Sequence, residues 1–100
     1  MTIEELKSIG LSDYSKFFNC YMELLSEISR DIKEAVMSED KAAVARKVEN
    51  LEKLSNAFKE IDLNKIPDWA QKSHKYLGKA LNRTSNLYNY IVQNVLNKNP

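Results

Sequence analysis

The sequence contains few of the residues that interrupt or cross-link a backbone. Its 100 residues include two glycines, two prolines and one cysteine, Cys20. So few glycines and prolines favour long helices over many short strands. A lone cysteine excludes a disulfide within the chain, and this cysteine usage is typical of a reducing compartment. We therefore expect a cytoplasmic protein.

Several functional signals are also missing from the chain. No apolar run approaches the about 20 residues that a membrane span requires, and the start, Met1 to Glu5, lacks the basic end and apolar run of a signal peptide. We find no Gly-rich phosphate loop, no HExxH and no Gly-x-Ser-x-Gly. One histidine and one cysteine cannot complete a zinc site by themselves. We expect a non-enzyme without a cofactor, a metal site or a membrane partner.

The overall composition is that of an ordinary globular chain. Hydrophobic residues make up 43% and charged residues 29% of the sequence, which argues against disorder. One hundred residues correspond to a single domain, residues 1–100, with one modest core. A chain this small gains stability by pairing, and we predict a homodimer.

The clearest pattern is an apolar seam between Tyr14 and Ala35. Its members recur every three or four residues, as they do on one stripe of an amphipathic helix. They are Tyr14, Phe18, Tyr21, Leu25, Ile28, Ile32 and Ala35, with Phe17, Leu24 and Val36 widening the stripe. The pattern predicts a helix that is capped by Ser12 or Asp13 and runs to about Met37.

The flanking sequence predicts three more helices. Residues 2–5 form a capping box, which predicts a short first helix ending at Gly10 in a left-handed conformation. A third helix is predicted over about 39–61, with an apolar face of Val44, Val48, Leu51, Leu54, Phe58 and Ile61. The last is predicted from Pro67 to about Asn97, with Ala70, Leu77, Leu81, Thr84, Tyr88, Ile91 and Val95 on one face. The expected fold is all-α, an antiparallel helical bundle of three long helices plus a short N-terminal helix.

Charge is distributed unevenly along the chain. Residues 1–62 carry nine Lys/Arg and thirteen Asp/Glu, whereas residues 63–100 carry six Lys/Arg and one acid, Asp68. The simpler explanation is that a basic last helix docks against acidic earlier helices. The alternative is a surface for an anionic partner.

A basic stripe on the last predicted helix is the strongest candidate for such a surface. Lys72, Lys75, Lys79 and Arg83 lie within an arc of about 80°, with Tyr76 and Tyr90 close to it. Four charges and a pI near 7.8 make a small footprint for nucleic acid, so an acidic protein partner is favoured and nucleic acid is kept as an alternative. Trp69 opens this helix and is expected to plug the end of the bundle; if exposed, it would instead be a natural hot spot for a partner.

His74 is the only histidine and lies at the edge of the apolar face. The segment His74-Lys-Tyr-Leu-Gly78 resembles the His-x-x-Lys-Gly signature of histidine phosphotransfer domains at its His and Gly positions, with Leu77 in place of the signature lysine. The resemblance implies that His74 is a candidate phosphoacceptor, that Gly78 leaves room for a partner's active site, and that nearby lysines neutralise the phosphate. The alternatives are a half-buried histidine lining the bundle and an ordinary surface residue.

A second resemblance lies near the chain end. Residues 87–99 are similar to the Leu-Tyr-x-Tyr helix of flagellar export chaperones, which implies a chaperone-like role. Taken together, the sequence predicts a small non-catalytic protein-binding module, such as a regulator, adaptor, chaperone or inhibitor, that uses a helix face. Phosphotransfer through His74 and binding of nucleic acid or another anionic ligand through the Lys72–Arg83 stripe are the alternatives.

Overall fold

A computed structural model describes the backbone of residues 2–96 and the side chains of residues 2–94. This part of the chain contains no strand and folds into four α-helices, α1 (Ile3–Lys7), α2 (Tyr14–Met37), α3 (Lys41–Lys59) and α4 (Gln71–Leu96). Short 3-10 turns cover Leu11–Asp13, Leu63–Lys65 and Asp68–Ala70. The predicted all-α bundle of three long helices and one short helix is confirmed. The predicted end of the last helix, Asn97, lies outside the described residues.

The long helices run up, down and up. The Tyr21 hydroxyl near the start of α2 donates to the Leu54 carbonyl near the end of α3 at 3.0 Å, so these two helices are antiparallel. Tyr14 contacts His74, which places the starts of α2 and α4 side by side and makes them parallel. The resulting bundle measures 52 × 21 × 17 Å. Among the residues described, no helix is long and apolar enough to cross a membrane.

The N-terminal predictions are partly confirmed. The Glu5 N–H donates to the Thr2 hydroxyl at 3.1 Å, so Thr2 caps α1. Gly10 does not adopt the predicted left-handed conformation, because α1 has already ended at Lys7 and Gly10 is extended, with φ −68°. Asp13 stands at the N-cap of α2 without a side-chain hydrogen bond. The chain enters α2 through a 3-10 turn in which the Asp13 N–H already bonds the Gly10 carbonyl.

A tight turn joins α2 to α3. Glu39 has a φ of 56°, and the N–H groups of Glu39 and Asp40 donate to the carbonyls of Val36 and Ala35. This is the Schellman arrangement, in which a left-handed residue after the helix satisfies its last carbonyls. Asp40 then caps α3, because its carboxylate accepts from the Ala43 N–H at 3.1 Å.

The core lies where the apolar faces meet, largely as the periodicity predicts. Its fully or nearly fully buried members are Leu6, Tyr14, Phe17, Tyr21, Leu24, Leu25, Ile28, Ile32, Ala35, Val44, Leu51, Leu54, Ile66, Ala70, Leu77, Leu81 and Val92. Nine other predicted face or widening residues are not in this buried set. Val95 lies outside the described side chains, and the other eight are partly buried: Phe18, Val36, Val48, Phe58, Ile61, Thr84, Tyr88 and Ile91. The Thr84 hydroxyl bonds back to the Ala80 carbonyl at 2.8 Å, which satisfies this polar interruption of the face.

Candidate functional site

His74 lies inside the bundle, on the face of α4 that meets the other two long helices. Only 4% of its surface is exposed. The ring stacks on Phe58 of α3, with centroids 4.6 Å apart and planes 10° from parallel. Its Nδ1 atom is 2.8 Å from the Tyr14 hydroxyl of α2. His74 is therefore a buried histidine that joins three helices.

Burial keeps both partners of this hydrogen bond neutral. Loss of solvation lowers the pKa of His74 below its usual value and raises the pKa of Tyr14 to about 12. The other ring nitrogen, Nε2, is buried and forms no hydrogen bond with the described residues. The imidazole is therefore held uncharged at neutral pH, with one of its two nitrogens hydrogen-bonded.

The space beside Gly78 is filled by the protein itself. A Cβ atom built on Gly78 would lie 3.1 Å from the Phe58 ring. The glycine therefore makes room for Phe58 rather than for the active site of another protein. A phosphoryl donor could reach His74 only if the bundle opened, so the geometry gives no support to a phosphoacceptor role.

Trp69 lies at the surface, so the prediction that it plugs the end of the bundle is wrong. It precedes α4 in the 3-10 turn Asp68–Ala70, and the residue is 65% exposed. The edge-on contact with Tyr14, at a centroid distance of 6.3 Å and an angle of 83°, covers only part of the ring. Ile66 and Ala70, on either side of Trp69 in the sequence, are buried in the core instead.

The predicted basic residues Lys72, Lys75, Lys79 and Arg83 are all exposed. None of them forms an ion pair with another residue in the part of the chain that is described; the two ion pairs found there join Lys7 to Glu60 and Lys47 to Asp31. The explanation that the basic last helix is neutralised by the acidic earlier helices is therefore not supported. These cations face solvent.

Exposed aromatic residues accompany the cations. Tyr76 is 58% exposed and leans against Phe18 of α2, at a centroid distance of 6.4 Å. Further along α4, Leu87 is 55% and Tyr90 is 69% exposed. We call Trp69, Lys72, Tyr76, Lys79, Arg83, Leu87 and Tyr90 the α4 seam. Lys75 lies beside it, about 40° around the helix from Lys79.

The structure thus brings all six predicted partner-binding residues onto one side of the last helical segment and separates them from His74. Leu87 was missed as a site residue. Its spacing of four residues from Arg83 could have identified it, but an isolated leucine near the end of a helix gives no sign of exposure until the packing is known.

Two grooves lie away from the α4 seam. A polar groove between α1, α2 and α3 is lined by residues that include Glu27, Asp31, Lys53 and Glu60. A smaller apolar hollow of about 320 Å³ lies between α1, the start of α2 and the end of α3. Its lining includes Leu6, Ile9, Leu11, Phe17, Ala57 and Ile61. The described residues contain no group of three or more His, Cys, Asp and Glu side chains that could hold a metal ion.

Comparison with known proteins adds no assignment to this geometry. No family model matches the chain, and no curated protein or solved structure matches it. The two resemblances noted in the sequence therefore find no further support.

Proposed function

We propose that this protein is a small, non-catalytic, cytoplasmic protein-binding module that engages its partner through the exposed face of α4. Such a module could be a regulator, an adaptor, a chaperone or an inhibitor. The observation that carries the proposal is the combination of exposed Trp69 and Tyr76 with Lys72, Lys79 and Arg83 on one helix side.

Physical chemistry supports a protein partner for this face. Trp, Tyr and Arg are enriched among the residues that contribute most binding energy at protein interfaces. Trp and Tyr cover a large area with few rotatable bonds, and the planar guanidinium of Arg donates several hydrogen bonds in a fixed geometry. Four of the six large hydrophobic residues that are exposed in the described chain, Trp69, Tyr76, Leu87 and Tyr90, lie on this one segment. Clustering of exposed apolar groups on one surface marks an interaction site more strongly than scattered single residues do.

The charge of the face favours an acidic partner. The sequence has no Asp or Glu after Asp68, so α4 carries only positive charges. An acidic protein surface would gain ion pairs with Lys72, Lys75, Lys79 and Arg83 and would be steered toward them before contact. Nucleic acid is the weaker alternative, because four cations and a near-neutral pI of about 7.8 give limited neutralisation of phosphates.

The predicted homodimer requires a surface other than the α4 seam. Pairing two copies through this face would bring the cations of both α4 helices together with no acid on either helix. Homodimerisation therefore stays a separate prediction, which sedimentation equilibrium at several protein concentrations would check.

Site-specific photo-crosslinking tests the proposed function. Benzoylphenylalanine replaces Tyr76 in one sample and Met37, an exposed residue at the end of α2, in a matched sample. Both are irradiated in extract of the source cells with nuclease added and at about 0.15 M salt, where distant charges are screened. We expect a discrete protein adduct from position 76 and none of that mass from position 37.

Charge variants make this test specific. The pair Lys79→Glu and Arg83→Glu should abolish the adduct, whereas Lys33→Glu and Arg46→Glu make the same change in net charge on exposed positions of α2 and α3 and should leave it intact. Equal labelling from positions 76 and 37, or an adduct that survives charge reversal in α4, would contradict the proposal.

A further inference from the structure

The α4 seam continues past the predicted site for two more helical turns. Its members are separated by three or four residues from Trp69 to Tyr90, and those on α4 fall within an arc of about 80° at about 100° per residue. At about 1.5 Å per residue, the seam is about 32 Å long. This arc lies on the side of α4 away from the buried residues Leu77 and Leu81. The helix therefore has one apolar stripe that faces the core and a second stripe, the α4 seam, that faces solvent.

This spacing suits one kind of partner structure. Residues repeated at three and four positions form a straight line along a helix, and a second helix packs along such a line with side chains interleaved. An extended peptide presents side chains with a period of two and would match only some of these positions. A lengthwise helix would contact apolar groups near both ends of the seam, Trp69 and Tyr76 at one and Leu87 and Tyr90 at the other.

The charges on the seam define the partner's polar residues. Lys72, Lys79 and Arg83 lie among the apolar groups, and α4 supplies no acid to pair with them. A helix lying on this face would partly desolvate the three cations, which favours binding only if the incoming chain provides carboxylates.

We propose that the α4 seam binds an acidic amphipathic α-helix of another protein, which lies lengthwise along α4. Leucine-like residues of that helix cover Trp69, Tyr76, Leu87 and Tyr90, and its Glu or Asp residues face Lys72, Lys79 and Arg83. The inference rests on the proposed function and adds the conformation, the charge and the footprint of the partner.

Two other occupants fit less well. A second copy of α4 would bring six seam cations together with no carboxylate from either helix. The phosphates of a nucleic acid strand would pair with the cations, and its bases could stack on the aromatic rings. The strand would offer no aliphatic group to cover Leu87. Both are outcomes that the experiment can detect.

Trp69 is the only tryptophan, so its fluorescence reports directly on one end of the seam. The probes are two synthetic 28-residue peptides without tryptophan, which share leucines at positions a and d of each heptad. One carries Glu and the other Lys at the flanking positions. At about 0.15 M salt, we expect the Glu peptide to shift Trp69 emission to shorter wavelength in a saturable manner and to gain helical circular dichroism. The Lys peptide should do neither.

The far end of the seam decides whether the peptide lies lengthwise. Leu87→Ala with Tyr90→Ala should weaken binding of the Glu peptide by about tenfold or more, because truncating two anchors removes at least that much interface free energy. The matched control, Asn82→Ala with Asn89→Ala, changes exposed residues on another side of α4 and should leave the affinity unchanged.

Several results would overturn the inference. One is equal binding of the Glu and Lys peptides, and another is an affinity that ignores Leu87 and Tyr90. A third is tighter binding of a 20-nucleotide single strand than of the Glu peptide, and a fourth is self-association that the Lys79→Glu and Arg83→Glu pair abolishes. If crosslinking from position 76 still captures a protein, the proposed function stands and only the helical, lengthwise mode is wrong. If both experiments fail, both proposals are wrong.

Discussion

At the scale of single residues, the hydrogen bond between His74 and Tyr14 links helices within the core. It joins α2 to α4 at 2.8 Å, and the imidazole also stacks on α3 through Phe58. One nitrogen is bonded and the other, Nε2, is buried without a partner among the described residues. A protonated ring would bury a positive charge and an Nε2–H group with no acceptor among the described residues, so the fold stabilises the neutral form.

The lowered pKa of His74 predicts a loss of stability on mild acidification. Between pH 7.5 and 5.5 the unfolded chain takes up a proton near its ordinary pKa of about 6.5, whereas the folded chain resists it, so the free energy of unfolding should fall by up to about 1.4 kcal/mol. Urea unfolding at the two pH values measures this loss. His74→Gln removes the only histidine and should flatten the dependence, because carboxylates titrate mostly below this range. If the free energy of unfolding of His74→Gln falls by the same amount between the two pH values, the effect belongs to other groups.

The two buried tyrosines should respond differently to removal of the hydroxyl. Tyr14→Phe leaves both nitrogens of His74 without a partner, and we expect a loss of about 1–3 kcal/mol. Tyr21→Phe removes a bond to the Leu54 carbonyl, which keeps its bond within α3, so the loss should be nearer about 0.5–1.5 kcal/mol. Chemical denaturation of the two variants compares them, and equal losses would mean that the His74 contact adds no special stability.

At the scale of elements, the turn between α2 and α3 stores local backbone strain. Glu39 is the one non-glycine residue of the described chain with a positive φ, 56°. Its side chain is exposed, so no burial compensates for the steric cost of about 1–2 kcal/mol that a side chain experiences in the left-handed region. The conformation persists because the Schellman hydrogen bonds and the Asp40 cap hold both flanking helices.

Glu39→Gly should therefore stabilise the protein. Glycine removes the steric cost and loses some conformational entropy, so we expect a net gain of about 0.5–1 kcal/mol in the free energy of unfolding. The control is Ser38→Gly, at a neighbouring residue with an ordinary φ of −82°, which should destabilise the protein. Thermal unfolding followed by circular dichroism compares the two, and a destabilised Glu39→Gly variant would show that the turn is not strained in this way.

At the scale of the whole molecule, one elongated core holds the three long helices together. The bundle is 52 Å long and only 17–21 Å wide, so each core layer contains few side chains and each large residue contributes much of its layer. Leu51 of α3 is buried, whereas Val48, one turn earlier, is partly exposed.

Truncations on α3 test this distribution of packing. Leu51→Ala should cost about 2–5 kcal/mol because it leaves a cavity that rigid neighbours cannot fill. Val48→Ala should cost clearly less, since fewer atoms are removed from a partly solvated site. The measurement is the free energy of unfolding from urea titration. A loss below about 1 kcal/mol for Leu51→Ala would place this residue outside a well-packed core.

The sequence by itself determined that there are four helices, three of them long, and their approximate positions. Apolar residues at three- and four-residue spacing can all be buried only on a helix, and local side chains decide where helices start, as Thr2 and Asp40 do. The same local information identified the basic stripe from Lys72 to Arg83, because charges spaced along one helix face remain on that face in any packing. Gly10 was predicted wrongly because a glycine permits a left-handed stop without requiring one.

Only the tertiary structure decided whether residues at the edges of the apolar face of α4 lie in the core or in solvent. Trp69 is exposed although it was expected to plug the end of the bundle, whereas Ile66 and Ala70 are buried. Tyr14 and Phe58 contact the imidazole of His74, which is more deeply buried than its position at the edge of the apolar face indicates. Burial depends on contacts between residues up to 60 positions apart, such as Tyr14 and His74, which local spacing does not encode. The α4 seam exists for the same reason: a three-helix arrangement covers one stripe of α4 and leaves the other exposed to solvent.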